Sequence, residues 1–334
     1  MAVQLYGIHW QNNATALCFI GGLLLGIIAS CRMLILGRVT GISGFVSGLI
    51  HPKIQKFSLD ERKFRLASIV GLVVRFFSEN NISAVFTCCA YFLLQVGGAL
   101  AQKYIPESIQ DWSCISHARL IIAGILVGYG TVLGNGCTSG HGICGISAFR
   151  FRSLVATCCF MGAGIATAIA SNTSRLLPFF TNTVPISKGG EIVAVMIAVC
   201  VVLVFVARIL SKAIENENHT ATATATQQME TSLTKVSVAF KLLAEFLFGV
   251  AISLALAVSN MTQLSATIAF LDLRYWNPAL AFVMIGAIGV SLPSFYTVFK
   301  QSTPLLHTKF ERSALSEIDI NLVGGAIIFG VGWG

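Results

Sequence analysis

The chain has 334 residues, of which 55% are hydrophobic and only 11% are charged, and its formal net charge is +8. A soluble globular domain carries about 25% charged residues, so this composition excludes a soluble globular protein. The basic residues stand at the ends of apolar runs, which favours charges at membrane interfaces over a nucleic-acid-binding surface. We therefore predict an all-α integral membrane protein whose partner is the lipid bilayer, and we expect no nucleic acid.

A transmembrane helix needs about 20 mostly apolar residues, and about nine runs meet or approach that length. In chain order they are Ala14–Leu36, Phe64–Phe77, Ser83–Ala101, Ala118–Leu133, Leu154–Ala170, Ile192–Leu210, Val236–Val258, Pro278–Phe299 and Leu322–Trp333. The first run is too long for the apolar region of a signal peptide, and no Lys or Arg precedes it. It therefore predicts a first transmembrane helix rather than a cleaved leader.

Lys and Arg are concentrated in the loop that follows the first run, residues 51–65. Because cytoplasmic loops carry the excess of basic residues, this loop is predicted to lie in the cytosol and the N-terminus outside. The expected location is the plasma membrane, crossed several times.

A polar, low-complexity stretch divides the chain. It contains alternating Thr and Ala from Thr220 to Thr226, a composition typical of a flexible linker. We therefore predict an N-terminal membrane half at 1–214, a linker at 215–234 and a C-terminal membrane half at 235–334.

The segment Gly134–Gly145 combines five glycines with two cysteines and a histidine, and no Asp, Glu, Lys or Arg occurs between Arg119 and Arg150. Within a bilayer, non-helical backbone is tolerated only where it is buried in protein or lines a cavity. A glycine-rich break in this position therefore predicts a substrate path.

Several groups in this segment could hold an anion without a buried Lys or Arg. Successive backbone N–H groups can form an anion nest, and a helix that starts after it adds a positive dipole end. Thr138 and Ser139 can donate hydroxyl hydrogen bonds, and Cys137 and Cys144 offer weak S–H donors. We expect Gly136 and Gly140 to adopt positive φ, which a β-branched residue disfavours.

Other chemistries stay open for the same residues. Cys137, His141 and Cys144 could ligate a metal, although three ligands on one loop make an incomplete zinc site. His141 could instead activate Cys137 as a nucleophile, or it could simply be a hydrogen-bonded loop residue. We expect no cofactor and no resident metal.

Most of the remaining cysteines lie in apolar runs, where a free thiol behaves as a small hydrophobe, and we expect them to serve packing. They are Cys18, Cys31, Cys88, Cys89, Cys158, Cys159 and Cys200.

Glycine-containing breaks recur along the chain. Gly22 and Gly26 precede Gly41–Gly44, and Gly124 and Gly128 precede Gly142–Gly145. Later, Phe248-Gly249 precedes Ser259–Thr262, and Gly324-Gly325 precedes Gly330–Gly334. Repeated halves with interrupted helices are typical of transporters, whereas isolated glycines more often allow close helix packing. We predict glycine-rich re-entrant or broken-helix loops in two pseudo-repeated halves.

The stretch Gly136–Gly145, followed by Ser153–Thr157, resembles the YeeE/YedE family of sulfur-compound transporters. Further matches to that family are Gly37–Gly44, Phe248-Gly249, Ser259–Thr262, Phe270–Leu273, Trp276–Met284 and Gly286-Ala287. The resemblance extends from about residue 17 to the end, and Gly136–Gly145 is its most specific part.

The resemblance implies uptake of thiosulfate or a related sulfur oxyanion, which thiols pass inward by S–H hydrogen bonds, and it implies no enzyme activity. Cys137 matches such a thiol best, with Cys144 and Cys31 as weaker matches. The residues expected along the path are Gly136, Cys137, Thr138, Ser139, Gly140, His141, Gly142, Cys144, Gly41, Ser43, Gly44, Cys31, Asn260 and Thr262.

Two further expectations concern coupling and completeness. A dianion entering an inside-negative cell needs a driving force, and His141 is our candidate for a co-transported proton. The family continues beyond Gly334 into a Cys-Pro-Gly element, so an apolar end at Gly334 predicts a fragment. The alternative function is a membrane-bound sulfurtransferase-like enzyme with Cys137 as a persulfide carrier.

Overall fold

A computed structural model describes residues 2–5, 8–39, 98–108, 115–175, 177, 184–220, 226–307, 309–310 and 317–334. The predicted span Phe64–Phe77, nearly all of Ser83–Ala101 and the basic loop 51–65 lie outside the described residues. So do three residues predicted to line the path: Gly41, Ser43 and Gly44.

The described chain is helical apart from a short antiparallel ribbon at its start. That ribbon, β1 (Ala2–Leu5) and β2 (Ile8–Gln11), pairs Ala2 with Gln11 and is the one departure from the all-α prediction within the described residues. The helices are α1 (Asn12–Leu36), α2 (His117–Leu133), α3 (Phe151–Ser171), α4 (Ile186–Thr220), α5 (Thr226–Val258), α6 (Leu264–Leu271), α7 (Ala279–Val298) and α8 (Ile320–Trp333). A π-helical segment, Thr138–Gly145, lies between α2 and α3.

Five helices are long and apolar enough to cross a bilayer, and a sixth span forms if α2 and the π-helical segment count together. Helices α1 and α5 end at the predicted residues, Leu36 and Val258, and begin before the predicted apolar runs, at Asn12 and Thr226. The described part thus contains five or six of the nine predicted spans, because two predicted runs lie outside it and the 14 residues of α8 reach to the end of the given sequence.

Large apolar side chains on the outer faces of α2 and α4 are more than half exposed. They include Ile121, Ile125, Val201 and Phe205, at 62%, 64%, 63% and 64%. A soluble protein would bury such a row, so these faces are suited to contact lipid.

The N-terminal and C-terminal helices each pack on the opposite half of the chain. Gly22 and Gly26 of α1 lie so close to α7 that an added Cβ would collide with the backbone of Val283 and Ala287. The glycines of α8 make equally close contacts with α2 and α3. The contact pairs are Gly325 with Gly130 and Gly134, and Gly330 with Phe160 and Gly164. Small residues let helix backbones approach where lipid supplies no hydrophobic driving force.

Both helices beside the predicted linker extend into it. Helix α4 ends at Thr220 and α5 begins at Thr226, while 221–225 lie outside the described residues. These helices have 35 and 33 residues. At about 1.5 Å per residue they are longer than the bilayer's hydrocarbon layer, so their linker ends project beyond it. The division into two membrane halves stays a prediction.

Candidate functional site

The glycine-rich segment does interrupt a helix. Helix α2 stops at Leu133, Asn135 takes a left-handed backbone conformation with φ 55°, and Cys137 is extended. The π-helical segment then continues at 46° to α2. π-Helical turns occur frequently at functional sites, and here the turn follows a broken span.

The polar atoms of this break become more buried along the chain. Asn135 is exposed, residues 136–140 are half-buried, and residues 141–145 are buried. The N–H of His141 donates to the Cys137 carbonyl over 2.9 Å. The amides of Thr138, Ser139 and Gly140 lie ahead of that bond, so they have no acceptor within the segment.

His141 links the end of α2 to the start of α3. Its Nε2 lies 3.2 Å from the Gly134 carbonyl oxygen, and its Nδ1 lies 3.1 Å from Ser153 Oγ. A carbonyl only accepts, so Nε2 carries the proton and, in the neutral ring, Nδ1 accepts from the Ser153 hydroxyl. Both ring nitrogens are therefore engaged in hydrogen bonds to Gly134 and Ser153, so neither is available as a base for Cys137.

Two glycines make room for this histidine–serine pair. A Cβ on Gly136 would collide with the His141 ring, and one on Gly145 would collide with Ser153. The expectation of positive φ at Gly136 and Gly140 is wrong, because Gly37 alone has it among the described glycines. Close approach explains Gly136, whereas a Cβ on Gly140 would meet only Cys137 Sγ, at 4.0 Å.

The two cysteines of the segment point to different neighbours. Cys137 Sγ lies 3.1 Å from Ser139 Oγ and packs against a cluster of α3 and α8 that contains Ala156 and Leu322. Cys144 is buried in a cluster of α1 and α7 that contains Met33 and Phe295. No three His, Cys, Asp or Glu side chains in the described ranges converge as metal ligands, so the three-ligand alternative has no support.

A second break at the end of α5 has the same backbone form. In both breaks, three successive N–H groups donate to carbonyls four, three and five residues earlier, and the middle residue is Asn with positive φ. The bonds of the first break are Gly134–Gly130 (2.9 Å), Asn135–Val132 (3.3 Å) and Gly136–Thr131 (3.1 Å). Those of the second are Ser259–Ala255 (3.0 Å), Asn260–Ala257 (3.2 Å) and Met261–Leu256 (3.0 Å). An eight-residue helical segment follows each.

Asn260 is fully buried. Neither its Oδ1 nor its Nδ2 makes a hydrogen bond of good geometry within the described structure, although the Cys18 thiol lies close enough to interact with this side chain. The Cys18 thiol, expected only to pack, donates to the adjacent Ser259 carbonyl over 3.1 Å. Thr262 donates to the Ser108 carbonyl over 2.6 Å, so it fastens the break. Polar atoms left unpaired at such burial indicate a place that a polar guest can occupy.

Cys31 is not brought together with Cys137. Its side chain lies beside that of Cys200, in the core between α1, α4, α5 and α7. The structure therefore places Cys31 at a helix contact on another side of the molecule.

Two buried arginines were missed from the sequence. Arg152, two residues into α3, is 6% exposed; its Nη1 donates to Asp319 Oδ1 over 2.9 Å and also to the Glu317 carbonyl. Arg32 of α1 donates from Nε and Nη2 to Glu245 of α5 over 3.0 and 3.1 Å. The available signals were the Arg-Phe-Arg sequence directly after the glycine-rich segment and single charges inside apolar runs.

A polar clasp joins the ends of α3 and α6. Asp272 accepts from Arg274 over 2.8 and 2.9 Å and from Ser174 Oγ over 2.6 Å. The Arg274 hydrogen bonds, with that of Ser174, hold the pKa of Asp272 below its ordinary value although burial opposes this. Arg274 also donates to Asn172, which follows α3, over 2.7 Å.

Comparisons with known proteins agree with the sequence resemblance. A family model described as sulphur transport matches residues 90–167, and a family of unknown function (DUF6691) matches residues 240–334. A probable transporter of Xylella fastidiosa strain Temecula1 is 36% identical over 149 residues, which cover 45% of this chain and 89% of that relative. The chain belongs to the YeeE/YedE family of sulfur-compound transporters. It is a multi-pass integral protein of the plasma membrane.

Other relatives of this YeeE/YedE chain carry the same name. A probable transporter of Xylella fastidiosa strain 9a5c is 33% identical over 150 residues, 45% of this chain and 89% of the relative. Another from that strain is 36% identical over 95 residues, 28% of this chain and 62% of the relative. No solved structure matches.

The two breaks of this YeeE/YedE chain fall in different matched regions. The break at Asn135 lies within 90–167, and the break at Asn260 lies within 240–334. The 149 matched residues make up 89% of the relative from strain Temecula1, so that relative is about half as long as this chain. Each break thus belongs to its own region of similarity.

Proposed function

We propose that this transporter imports thiosulfate or a related small sulfur oxyanion. The observation that carries the proposal is the pair of helix breaks with the same backbone form, one inside a broken span and one at the end of the span in α5. At the first break the amides of Thr138–Gly140 precede the first backbone hydrogen bond of the π-helical segment and lie beside Cys137. At the second break the side-chain atoms of Asn260 are buried without a hydrogen-bond partner in the described structure. Discontinuous helices of this kind hold the solute in many secondary transporters.

The helix directions support two inverted repeats. Helix α7 runs parallel to α1, because Gly22 and Gly26 contact Val283 and Ala287 in the same order. Helix α5 runs opposite to α1, since it ends beside Cys18 near the beginning of α1. The unit α5–α6–α7 therefore starts from the side at which α1 ends.

The unit formed by α2, the π-helical segment and α3 has the reverse orientation. Ser174, just after α3, donates to Asp272, which precedes α7, so the end of α3 lies beside the beginning of α7. Ser147, just before α3, contacts Ser291 late in α7. Helix α3 thus runs opposite to α7, so α2 enters from the side at which α1 begins. Two similar units in opposite orientation favour alternating access around a site between them.

The first break suits weak, reversible anion binding. Its amides and the hydroxyl of Ser139 are neutral donors, and the Cys137 thiol is a weak one. Such a site binds the anion without a lasting covalent bond and can release it. The occupied nitrogens of His141 leave the enzyme alternative without that histidine as the base for Cys137.

The decisive experiment follows sulfur-labelled thiosulfate into proteoliposomes that contain the purified protein. We expect saturable uptake of intact anion, and Cys137→Ala should abolish it while insertion stays normal. The matched control is Cys158→Ala, since Cys158 is exposed on the outer face of α3 and should be silent. Normal uptake by Cys137→Ala would overturn the role of the thiol. Label retained on the protein would favour the sulfurtransferase alternative.

A further inference from the structure

We propose that Arg152 binds the transported anion on the cytosolic side of Cys137. The inference rests on the proposed function and adds to it a fixed positive charge, which makes the site selective for divalent oxyanions. Sequence patterns had suggested anion binding without any buried Lys or Arg.

The guanidinium of Arg152 is only partly satisfied. Nη1 is used at the start of α8, where it meets Asp319 and the Glu317 carbonyl. Nη2 is buried and has no hydrogen-bond partner in the part of the chain that the structure describes. A buried charged donor without an acceptor is unfavourable, so this N–H is well placed to donate a hydrogen bond to an anion.

The position of Arg152 relates it to Cys137 through two helices. Cys137 packs against the cluster that contains Ala156 of α3 and Leu322 of α8. Arg152 precedes Ala156 by one helical turn, about 6 Å along the axis. Its partner Asp319 precedes Leu322 by about one turn and accepts from the Leu322 N–H over 3.3 Å. Arg152 therefore lies about one helical turn from the contact between α3 and α8 against which the Cys137 side chain packs.

The charges near this contact favour an anion. Arg150 and Arg152 both lie near His141 of the π-helical segment. The carboxylate paired with Arg152 is that of Asp319, which is 44% exposed and therefore partly screened by solvent. Helix α3 begins on the side of the membrane at which α1 ends, and the basic loop 51–65 that follows α1 is predicted to lie in the cytosol. Arg152, at the start of α3, therefore lies toward the cytosol. An anion that leaves Cys137 inward would meet Nη2.

Three variants in proteoliposomes separate anion binding from a purely structural clasp on α8. Thiosulfate uptake gives KM and Vmax, and inhibition by sulfate and by nitrate tests the preference for two charges. Arg152→Gln should raise KM at least about tenfold, since it removes a charge-assisted hydrogen bond. Arg152→Lys should show a smaller increase, because the charge stays but the second directed N–H is lost. Asp319→Asn should change KM less than about twofold and leave sulfate the better inhibitor.

Each outcome decides the proposal. Equal losses of Vmax in Arg152→Gln and Asp319→Asn, with KM unchanged, would show that Arg152 only holds α3 and α8 together and does not bind the anion. If Arg152→Gln does not insert, the comparison of Arg152→Lys with Asp319→Asn decides in the same way. Wild-type protein that neither takes up nor binds any sulfur oxyanion would overturn the proposed function itself, whereas normal uptake with normal KM in Arg152→Gln would overturn only the role of Arg152.

Discussion

Asn135 and Asn260 end two oppositely directed helices with the same turn: φ is 55° at Asn135 and 57° at Asn260. Their side chains differ in one respect, because that of Asn135 is exposed whereas that of Asn260 is fully buried and lacks a partner in the described structure. The backbone role is thus shared, and the polar role belongs to Asn260.

Glycine at these two positions should separate backbone from side chain. Gly adopts positive φ freely, so Asn135→Gly and Asn260→Gly should both fold, whereas Ala at either position should cost about 1 kcal/mol. We expect Asn260→Gly to lose most thiosulfate uptake and Asn135→Gly to keep it. Wild-type uptake by Asn260→Gly, measured alongside thermal unfolding, would remove Asn260 from the path.

Gly136 and Gly140 should respond differently to a single methyl group. Gly136→Ala forces a Cβ against the His141 ring and should destabilise the protein by about 1–3 kcal/mol. Gly140→Ala has open space and should stay within about 1 kcal/mol of wild type. Thermal unfolding in detergent checks both. Reduced uptake in a fully stable Gly140→Ala would show that the substrate uses the space beside Cys137.

His141 should contribute to stability whether or not it carries a proton. Loss of its hydrogen bonds in His141→Gln leaves the Gly134 carbonyl or Ser153 unpaired and should cost about 1–3 kcal/mol. Proton coupling through His141 predicts in addition that an inward proton gradient stimulates wild-type uptake but not His141→Gln. Equal stimulation of both, at clamped voltage, would exclude His141 as the coupling residue; Ser153→Ala is the control for lost packing.

Acid should loosen the clasp between Asp272 and Arg274. The folded-state pKa of Asp272 is lowered, so its contribution to stability is present above the ordinary carboxyl pKa of about 3.9 and is lost as the pH falls through the lowered value. Thermal unfolding of wild type should therefore weaken over that acidic range more steeply than that of Asp272→Asn. Identical acid dependence in both proteins would contradict the clasp.

Cutting the chain in the linker should leave a protein that reassembles. Helix α1 packs on α7 and α8 packs on α2 and α3, so each half supplies a helix to the other. Co-expressed fragments 1–220 and 226–334 should co-purify and restore uptake, and deletion of 221–225 should leave uptake near normal. Failure of a stably inserted deletion variant would give the linker a role in transport.

Sequence patterns alone predicted the membrane class, the approximate positions of the described spans and the place of the first break. The ends of α1 and α5, at Leu36 and Val258, were predicted to the residue, because the extent of an apolar run is a local property that the bilayer selects. The glycine-rich stretch likewise predicted an interrupted helix, since the low helix propensity of glycine is a local effect on the backbone of that segment. The assignment to sulfur transport came from the resemblance of that same stretch.

Which residues contact one another depended on the packing of the helices. His141 with Ser153, Arg152 with Asp319 and Cys18 with Ser259 join positions that lie 12, 167 and 241 residues apart. Composition and local patterns cannot predict such pairs, because the partner of a side chain depends on which helices pack together and in which direction they run. For that reason Gly136 is explained by the ring of His141 rather than by its own φ, and the buried charge of Arg152 beside a charge-free segment emerged only when α3 and α8 were placed together.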